Sequence, residues 1–278
     1  MGAAEPLSLV LSRAMGGRHG TAVVLDAGTG ELVACHDARR AALRQARPGS
    51  AIKPFTLTAL LEVGSWKAAT RIPCRREIRL AGRRLDCTHP EGLAPLDAAG
   101  ALAWSCNWYF TQAARRLSPD DLLAAFERAG LAARSGLIEP ETAGNLRRAE
   151  GLEQVALQAV GESSIEVTPL GLAAAYVRLA AGLSRRPELS CVLEGLLSCV
   201  RYGTGQAAAR ASIPVAGKTG TASGPAGAFT HAWFAGFAPA RAPEIVLVVF
   251  LEQGQGALDA APVAGAILEE LGRLRRWR

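Results

Sequence analysis

The apolar positions of the chain change rhythm twice. In "TAVVLDAGTGELVACHD", residues 21–37, two β-rich runs flank Asp-Ala-Gly-Thr-Gly, and this predicts a hairpin. Ahead of it, residues 5–15 read as a short amphipathic helix. From Ser50 the spacing becomes helical, with apolar Ile52, Phe55, Leu57, Leu60 and Leu61 and a stop near Gly64. Pro54 falls in the first or second turn of that helix, where proline is tolerated. Residues 67–95 are irregular, basic and punctuated by Pro and Gly. Helices follow at about 96–103, 106–116, 119–129, 152–160, 168–182 and 188–201, with a loop over 130–150. After "YGTGQAA" the strand pattern returns in "SIPVAGKTGTA", "FTHAWFAGFAPA" and "PEIVLVVFLEQG", three runs that predict an antiparallel meander. The closing "DAAPVAGAILEELGRLRR" reads as an amphipathic helix ending in arginines, which suit a helix C-terminus.

These elements predict an α/β protein of the α+β type. A five-stranded antiparallel sheet is flanked by N- and C-terminal helices and interrupted by an inserted all-helical subdomain. The expected division of the single domain 1–278 is a sheet part at about 1–48 plus 206–278 and a helical part at about 49–205. A cleft between two such parts is a common place for a site.

Composition narrows the function classes. A chain of 278 residues with 49% hydrophobic and 20% charged residues can build a proper core. The net charge of +6 comes partly from short runs such as Arg75-Arg76, Arg83-Arg84 and the final "RLRRWR". Such runs fit a solvated surface or an anionic partner. No aromatic-rich basic motif points to nucleic acid. No apolar stretch reaches the roughly 18 residues of a membrane span. The start "MGAAEPLSLVLSRAMGG" lacks a basic n-region and is a poor signal peptide. The six cysteines include no C-x-x-C pair and no zinc-ligand spacing with His. Cys74 and Cys87 bracket "RREIRLAGRRLD", whose Ala-Gly turn predicts a short hairpin that brings the two sulfurs near enough to bridge. Cys191 and Cys199 share a helix and read as small core residues.

Three triplets carry the chemistry. Ser50-Ala51-Ile52-Lys53 sets a hydroxyl and an amine on one helix face, three residues apart. Alone it also reads as a helix cap with a solvated lysine. Ser105-Cys106-Asn107 offers a hydroxyl for proton relay and an amide that can hold both a lysine and a substrate carbonyl. Lys218-Thr219-Gly220 offers a second positive charge, a hydroxyl for a carboxylate and a bare backbone position. A phosphate loop fails here, because Ser212 stands where that motif needs glycine.

Together, S-x-x-K, S-x-N and K-T-G in this order resemble the motif set of penicillin-binding proteins and serine β-lactamases. "AVVLDAGTGELVA", "PGSAIKPF", "SCNWYF", "VTPLGLAAAY", "YGTGQAA", "PVAGKTGTA" and "HAWFAGFAPA" resemble segments of penicillin-binding protein transpeptidase domains, over roughly residues 20–255. The resemblance implies that Ser50 attacks the penultimate D-Ala carbonyl of a peptidoglycan stem peptide, releases D-Ala and passes the acyl group to a neighbouring amine. It implies Lys53 as general base and Ser105 as proton relay to the leaving amine. Asn107 orients Lys53 and the substrate amide. Lys218 holds the Lys53 pKa down. Thr219, Gly220 and Thr221 bind substrate, and the backbone N–H groups of Ser50 and Thr221 form the oxyanion hole. It implies β-lactams as covalent inhibitors, an extracytoplasmic place in the cell envelope, an envelope protein as partner, and no metal or organic cofactor. Glu162 departs from the pattern, because relatives often have Gln there. A β-lactamase is a rival, with Glu141 in "ETAGN" superficially like a deacylating glutamate. So are a D,D-carboxypeptidase and, from another class, a non-catalytic β-lactam sensor or envelope scaffold.

Overall fold

The computed structural model describes residues 7–209, 213–224 and 227–274. In chain order it runs α1 (Leu7–Met15), β1 (Gly20–Asp26), β2 (Leu32–His36), α2 (Ala38–Leu43), a 3-10 turn (Gly49–Ile52), α3 (Lys53–Glu62), β3 (Arg79–Leu80), β4 (Arg83–Arg84), α4 (Ala98–Ala103), α5 (Asn107–Ala114) and α6 (Pro119–Arg128). It continues with β5 (Asn145–Leu146), α7 (Leu152–Ala159), β6 (Ile165–Glu166), α8 (Pro169–Arg185), α9 (Ser190–Arg201), β7 (Ala216–Ser223), β8 (Thr230–Ala238), β9 (Ile245–Leu251) and α10 (Ala261–Leu274). The expected start of the first helix at residue 5, Ser212 of the third β-rich run and the arginines at 275, 276 and 278 lie outside the described residues.

One sheet organises the molecule. Its order is β2-β1-β9-β8-β7, and every neighbouring pair is antiparallel. This is the predicted hairpin joined to the predicted meander through β1 and β9. Strand alternation sorts the side chains onto two faces. Ala22, Val24, Leu247 and Val249 pack with Leu11 of α1 and Ile267 and Leu268 of α10. Val23, Leu25, Val246, Val248 and Phe250 join the larger core on the other face, with Leu172 and Tyr176 of α8. All seven residues of β9 are buried, so this strand reads as the unbroken apolar run Ile-Val-Leu-Val-Val-Phe-Leu.

The section between β2 and β7 differs from expectation in two ways. It is not all helical: β3 and β4 form a two-residue ribbon, as the Ala81-Gly82 turn predicts, and β5 pairs with β6. A short helix, α2, precedes the Ser50 turn and was not legible. It has six residues and is nucleated by Asp37, whose carboxylate accepts from the Arg40 N–H. Six residues are too few to show a period. The long α8 starts as predicted, with the Thr168 hydroxyl accepting from the Gly171 N–H and Pro169 in its first turn.

The turn carrying Ser50 rests on the free edge of the sheet, against β7. Gly49 has φ +51°, and a Cβ there would lie 2.5 Å from the Thr221 carbonyl oxygen. Gly64, just past α3, also has a positive φ of +70°, but a Cβ there meets nothing within 4 Å. Gly64→Ala is therefore expected to cost only the backbone penalty, about 1 kcal/mol. Gly49→Ala adds a clash that must push the turn off β7, and its loss in urea unfolding should be clearly larger. Equal losses for the two variants would contradict this packing.

Candidate active site

The Pro48-Gly49-Ser50 turn is fixed from several sides. The Gly49 N–H donates to the Gly161 carbonyl at 3.1 Å. The Tyr176 hydroxyl on α8 donates to the Ala51 carbonyl at 2.8 Å, and the Trp233 Nε1–H on β8 donates to the Arg47 carbonyl at 2.9 Å. Both rings are fully buried. Ser50 itself stays half-buried at the mouth of α3. Gly220 on β7 completes the seat, because a Cβ there would lie 2.5 Å from the Pro48 carbonyl oxygen and 3.0 Å from the Ala51 nitrogen. The room that Gly220 leaves is thus filled by the Ser50 turn.

Lys53 is the first residue of α3 and has no exposed surface. Its Nζ donates to the Ser105 carbonyl at 2.8 Å and to Asn107 Oδ1 at 2.6 Å, and lies 3.3 Å from the Ser105 hydroxyl. Among the described residues no carboxylate lies within ion-pair distance of it. Burial first, and then the charge of Lys218, lower its pKa to about 7, against smaller opposing effects of Cys87, Cys106 and Glu162. A neutral amine has two N–H donors and one lone pair. The two short bonds use the donors, and the lone pair is left for a hydroxyl. No hydrogen bond joins Lys53 to Ser50; the one side-chain hydroxyl bonded to Nζ is that of Ser105.

Ser105 stands at an unusual backbone position. The Ser105 N–H donates to Leu102 O and the Cys106 N–H to Ala101 O, the crossed pair of a Schellman helix end closing α4. The residue at this point normally is glycine, and Ser105 holds φ +56°. A side chain is retained where the backbone disfavours one. Asn107 then opens α5. Its amide nitrogen donates to the Leu85 carbonyl at 3.0 Å, which aims Oδ1 at Lys53.

On β7, Lys218 is fully buried and its Nζ donates to the Thr219 carbonyl at 3.0 Å. Burial lowers its pKa to about 8. This chain has three lysines, and two of them are buried in this site. The Thr219 hydroxyl pairs with Thr204 at 2.6 Å, a partner the triplets did not reveal, although "YGTGQAA" contains it. The Thr221 hydroxyl accepts from the Gly256 N–H at 2.9 Å. Glu162 is buried and paired with Arg83 of the β3–β4 ribbon at 2.6 Å, and Arg83 also reaches Ser223 at the end of β7. The charge pair ties the ribbon to the loop after α7, and the Arg83–Ser223 hydrogen bond ties it to the edge strand. A cleft of about 650 Å³ opens beside it, lined by Leu157, Glu162 and Ser163 on one side and Ser223, Gly224 and His231 on the other.

Two points left open by the sequence are answered. Cys74 and Cys87 are free, so the bridge is not formed. Their sulfurs instead gather with Cys106 and His89, with all four ligand atoms within 4.8 Å of one another, a grouping that metal-ligand spacing along the chain did not show. Cys199 is buried, as a core residue should be, while Cys191 is half-buried. Glu141 is also committed elsewhere: its carboxylate accepts from the Ser135 and Gly136 N–H groups, each at 2.7 Å.

Comparison with known proteins places this geometry. Residues 20–269 match the family model for the penicillin binding protein transpeptidase domain. The chain is 26% identical over 270 residues to peptidoglycan D,D-transpeptidase PbpA of Mycolicibacterium smegmatis, covering 81% of this chain and 53% of that protein. It is 27% identical over 316 residues to penicillin-binding protein PbpB of the same organism, covering 91% of this chain and 49% of that protein. The chain thus spans about half the length of the curated relatives it matches. Among solved structures it superposes on Pseudomonas aeruginosa PBP2 with a TM-score of 0.85 at 22% identity, over 95% of this chain and 76% of that one. On Helicobacter pylori PBP2, solved in complex with MreC, the TM-score is 0.87 at 18% identity, over 98% of this chain and 63% of that one. With that match over most of its length, and with the three triplets converging on one buried lysine, the chain belongs to the penicillin-binding protein transpeptidase domain family.

Proposed function

We propose that this chain is a serine D,D-transpeptidase domain that cross-links peptidoglycan stem peptides through an acyl-enzyme on Ser50. The observation that carries the reading is the buried Lys53 amine, held by Ser105 and Asn107, whose pKa is lowered to about 7 so that much of it is neutral at neutral pH. A serine hydroxyl becomes a nucleophile only when a base takes its proton. Lys53, three residues on and one turn away, is that base. The Ser50 oxygen bonds to the D-Ala carbonyl carbon. The proton held on Lys53 moves through the Ser105 hydroxyl to the leaving nitrogen, the C–N bond breaks, and D-Ala departs. An amine from a second stem then attacks the ester and restores Ser50. Asn107 keeps Lys53 in place. Lys218, with Thr219 and Thr221, draws the terminal carboxylate to β7, because neither buried amine has an anionic partner of its own. The backbone N–H groups of Ser50 and Thr221 receive the developing oxyanion. Gly220 serves the same site by letting the Ser50 turn lie on the strand.

The whole chain acts as one catalytic unit, with the sheet part at about 1–48 plus 206–278 and the helical part at about 49–205. It works outside the cytoplasm, where stem peptides are, and an envelope protein is its partner class, as MreC is for the Helicobacter pylori relative. No helix among the described residues is long and apolar enough to cross a membrane. The β-lactamase reading loses ground because both Glu141 oxygens are spent on a backbone turn.

Fluorescent penicillin is expected to label the protein stably at Ser50, with no label on Ser50→Ala. Release of D-Ala from a stem pentapeptide should become cross-linked product when an acceptor amine is added. Absence of acylation sinks this reading, fast release of the label points to a β-lactamase, and hydrolysis that ignores the acceptor points to a carboxypeptidase.

The pH profile of acylation of the free protein should be a narrow bell. Its acid limb, near 7, reports protonation of Lys53, and its alkaline limb, near 8, the loss of charge on Lys218. Lys218→Met removes the alkaline limb. It also moves the acid limb to higher pH, since the charge that depresses Lys53 is gone. An acid limb in the carboxylate range contradicts the assignment of Lys53.

Ser105→Gly separates stability from chemistry. Relief of the left-handed backbone should raise unfolding stability by about 1 kcal/mol. Loss of the hydroxyl should lower D-Ala release by about 10²–10⁴-fold. A variant that gains no stability, or keeps full activity, contradicts the role given to this residue.

A further inference from the structure

We propose that Cys74, Cys87, His89 and Cys106 bind one zinc ion that clamps the irregular segment 67–95 to the Ser105–Asn107 turn. The geometry fits the ion. The Cys87 and Cys106 sulfurs are 3.8 Å apart. That is too long for a disulfide, at about 2.05 Å. It equals the edge of a tetrahedron with zinc–sulfur bonds of about 2.3 Å, which is about 3.8 Å. All four ligand atoms lie within 4.8 Å of one another, so small side-chain movements bring them onto one ion.

The surroundings are arranged for thiolates and a bare imidazole nitrogen. Each sulfur accepts one backbone N–H: Arg76 to Cys74 at 3.3 Å, Trp108 to Cys87 at 3.3 Å and Tyr109 to Cys106 at 3.4 Å. Such outer donors stabilise charge on a metal-bound sulfur. His89 is 4% exposed. Its Nδ1 lies 3.0 Å from the Pro90 carbonyl oxygen, a pure acceptor, so Nδ1 carries the proton. Nε2 is then a lone pair, and it is buried without any hydrogen-bond partner. A buried polar atom left unpaired calls for a missing partner, and a metal ion supplies one.

The ligand set selects the metal. Three thiols and one imidazole suit zinc in a tetrahedral site and disfavour magnesium or calcium, which take oxygen. Four protein ligands leave no open position, and three of the four are buried, so the site is structural. Binding forms three zinc–sulfur bonds and one zinc–nitrogen bond and releases the three thiol protons to solvent. Cys106 sits between Ser105 and Asn107. The other ligands come from the segment whose Leu85 and Asp86 carbonyls receive the Asn107 amide. The ion therefore locks together the two pieces of chain that position both acceptors of Lys53. The segment has only the two-residue β3 and β4 as named strands, and the ion would add a clamp to the packing of Ile78 and Leu80 and to the Arg83–Glu162 pair.

The full chain, purified with thiols reduced, should carry about one zinc per molecule. Replacement by cobalt should give the intense visible bands of a tetrahedral thiolate site. Cys74→Ser and His89→Ala should each weaken zinc binding at least about tenfold, while Cys35→Ser and Cys191→Ser leave it unchanged. Removing zinc from the wild-type chain with a chelator should speed amide hydrogen exchange in residues 72–96 and 106–109 and leave the central sheet protected. None of these readouts depends on whether Ser50 is acylated. The proposal is overturned if the reduced wild-type chain takes up no zinc, if the bound cobalt is octahedral, if the two ligand variants bind as wild type does, or if exchange in the two segments does not change on chelation.

Discussion

Burial of the Lys53 amine is the constraint on which the site depends. A protonated amine taken out of water without a counter-ion costs several kcal/mol, on the order of the stability of a whole small domain. The chain lessens that cost by lowering the amine's pKa to about 7 and giving it two short acceptors, Ser105 O and Asn107 Oδ1. Those acceptors stay in place only if the end of α4, the start of α5 and the 85–86 backbone stay in register. Lys53 and its supports are therefore one object. Disturbing any support either leaves an amide unpaired or lets water in, and water returns Lys53 to its charged form.

The second constraint is the contact between the Ser50 turn and the edge of the sheet. An edge strand has backbone groups to spare on its outer side. Here the outer side of β7 is used by a turn whose approach is made possible by the missing side chains of Gly49 and Gly220. Tyr176 and Trp233 hold the flanks of that turn from α8 and β8. The proposed nucleophile, Ser50, is thus set by the sheet, and the proposed base, Lys53, by the helical section. The two meet because Ser50 and Lys53 are one turn apart across the 3-10 to α junction. The ordering of S-x-x-K, S-x-N and K-T-G along the chain reflects this: one motif is at the junction, one in the helices and one on the strand.

Much of this was legible in the sequence. The hairpin, the meander and the helices have periods long enough to declare themselves, and even β9, apolar on both faces, is bounded by clear turns. The three triplets are legible because their residue types are chemically specific and their order is restrictive. What escaped lacks either property. The helix α2 is shorter than two turns. Tyr176 and Trp233 look like ordinary core aromatics, and only their polar tips reveal the carbonyls they hold. Thr204 became visible as a partner of Thr219 once the chain folded back. The Cys74, Cys87, His89 and Cys106 cluster is drawn from an irregular segment and a distant turn, so no spacing rule finds it. The hairpin reading of "RREIRLAGRRLD" placed Cys74 near Cys87 and left a bridge open, and the two thiols are free.

The account stands on the Lys53 pKa being lowered to about 7, and that can be observed directly. With only three lysines in the chain, carbon-13 labelling of the lysine ε-carbons gives three NMR signals, assigned by Lys53→Met and Lys218→Met. The third signal is then that of exposed Lys67. The Lys53 signal should titrate with a midpoint near 7, below that of Lys218 near 8, and it should move to higher pH in Lys218→Met. A Lys53 signal that titrates near the ordinary lysine value of about 10.4 would contradict the account.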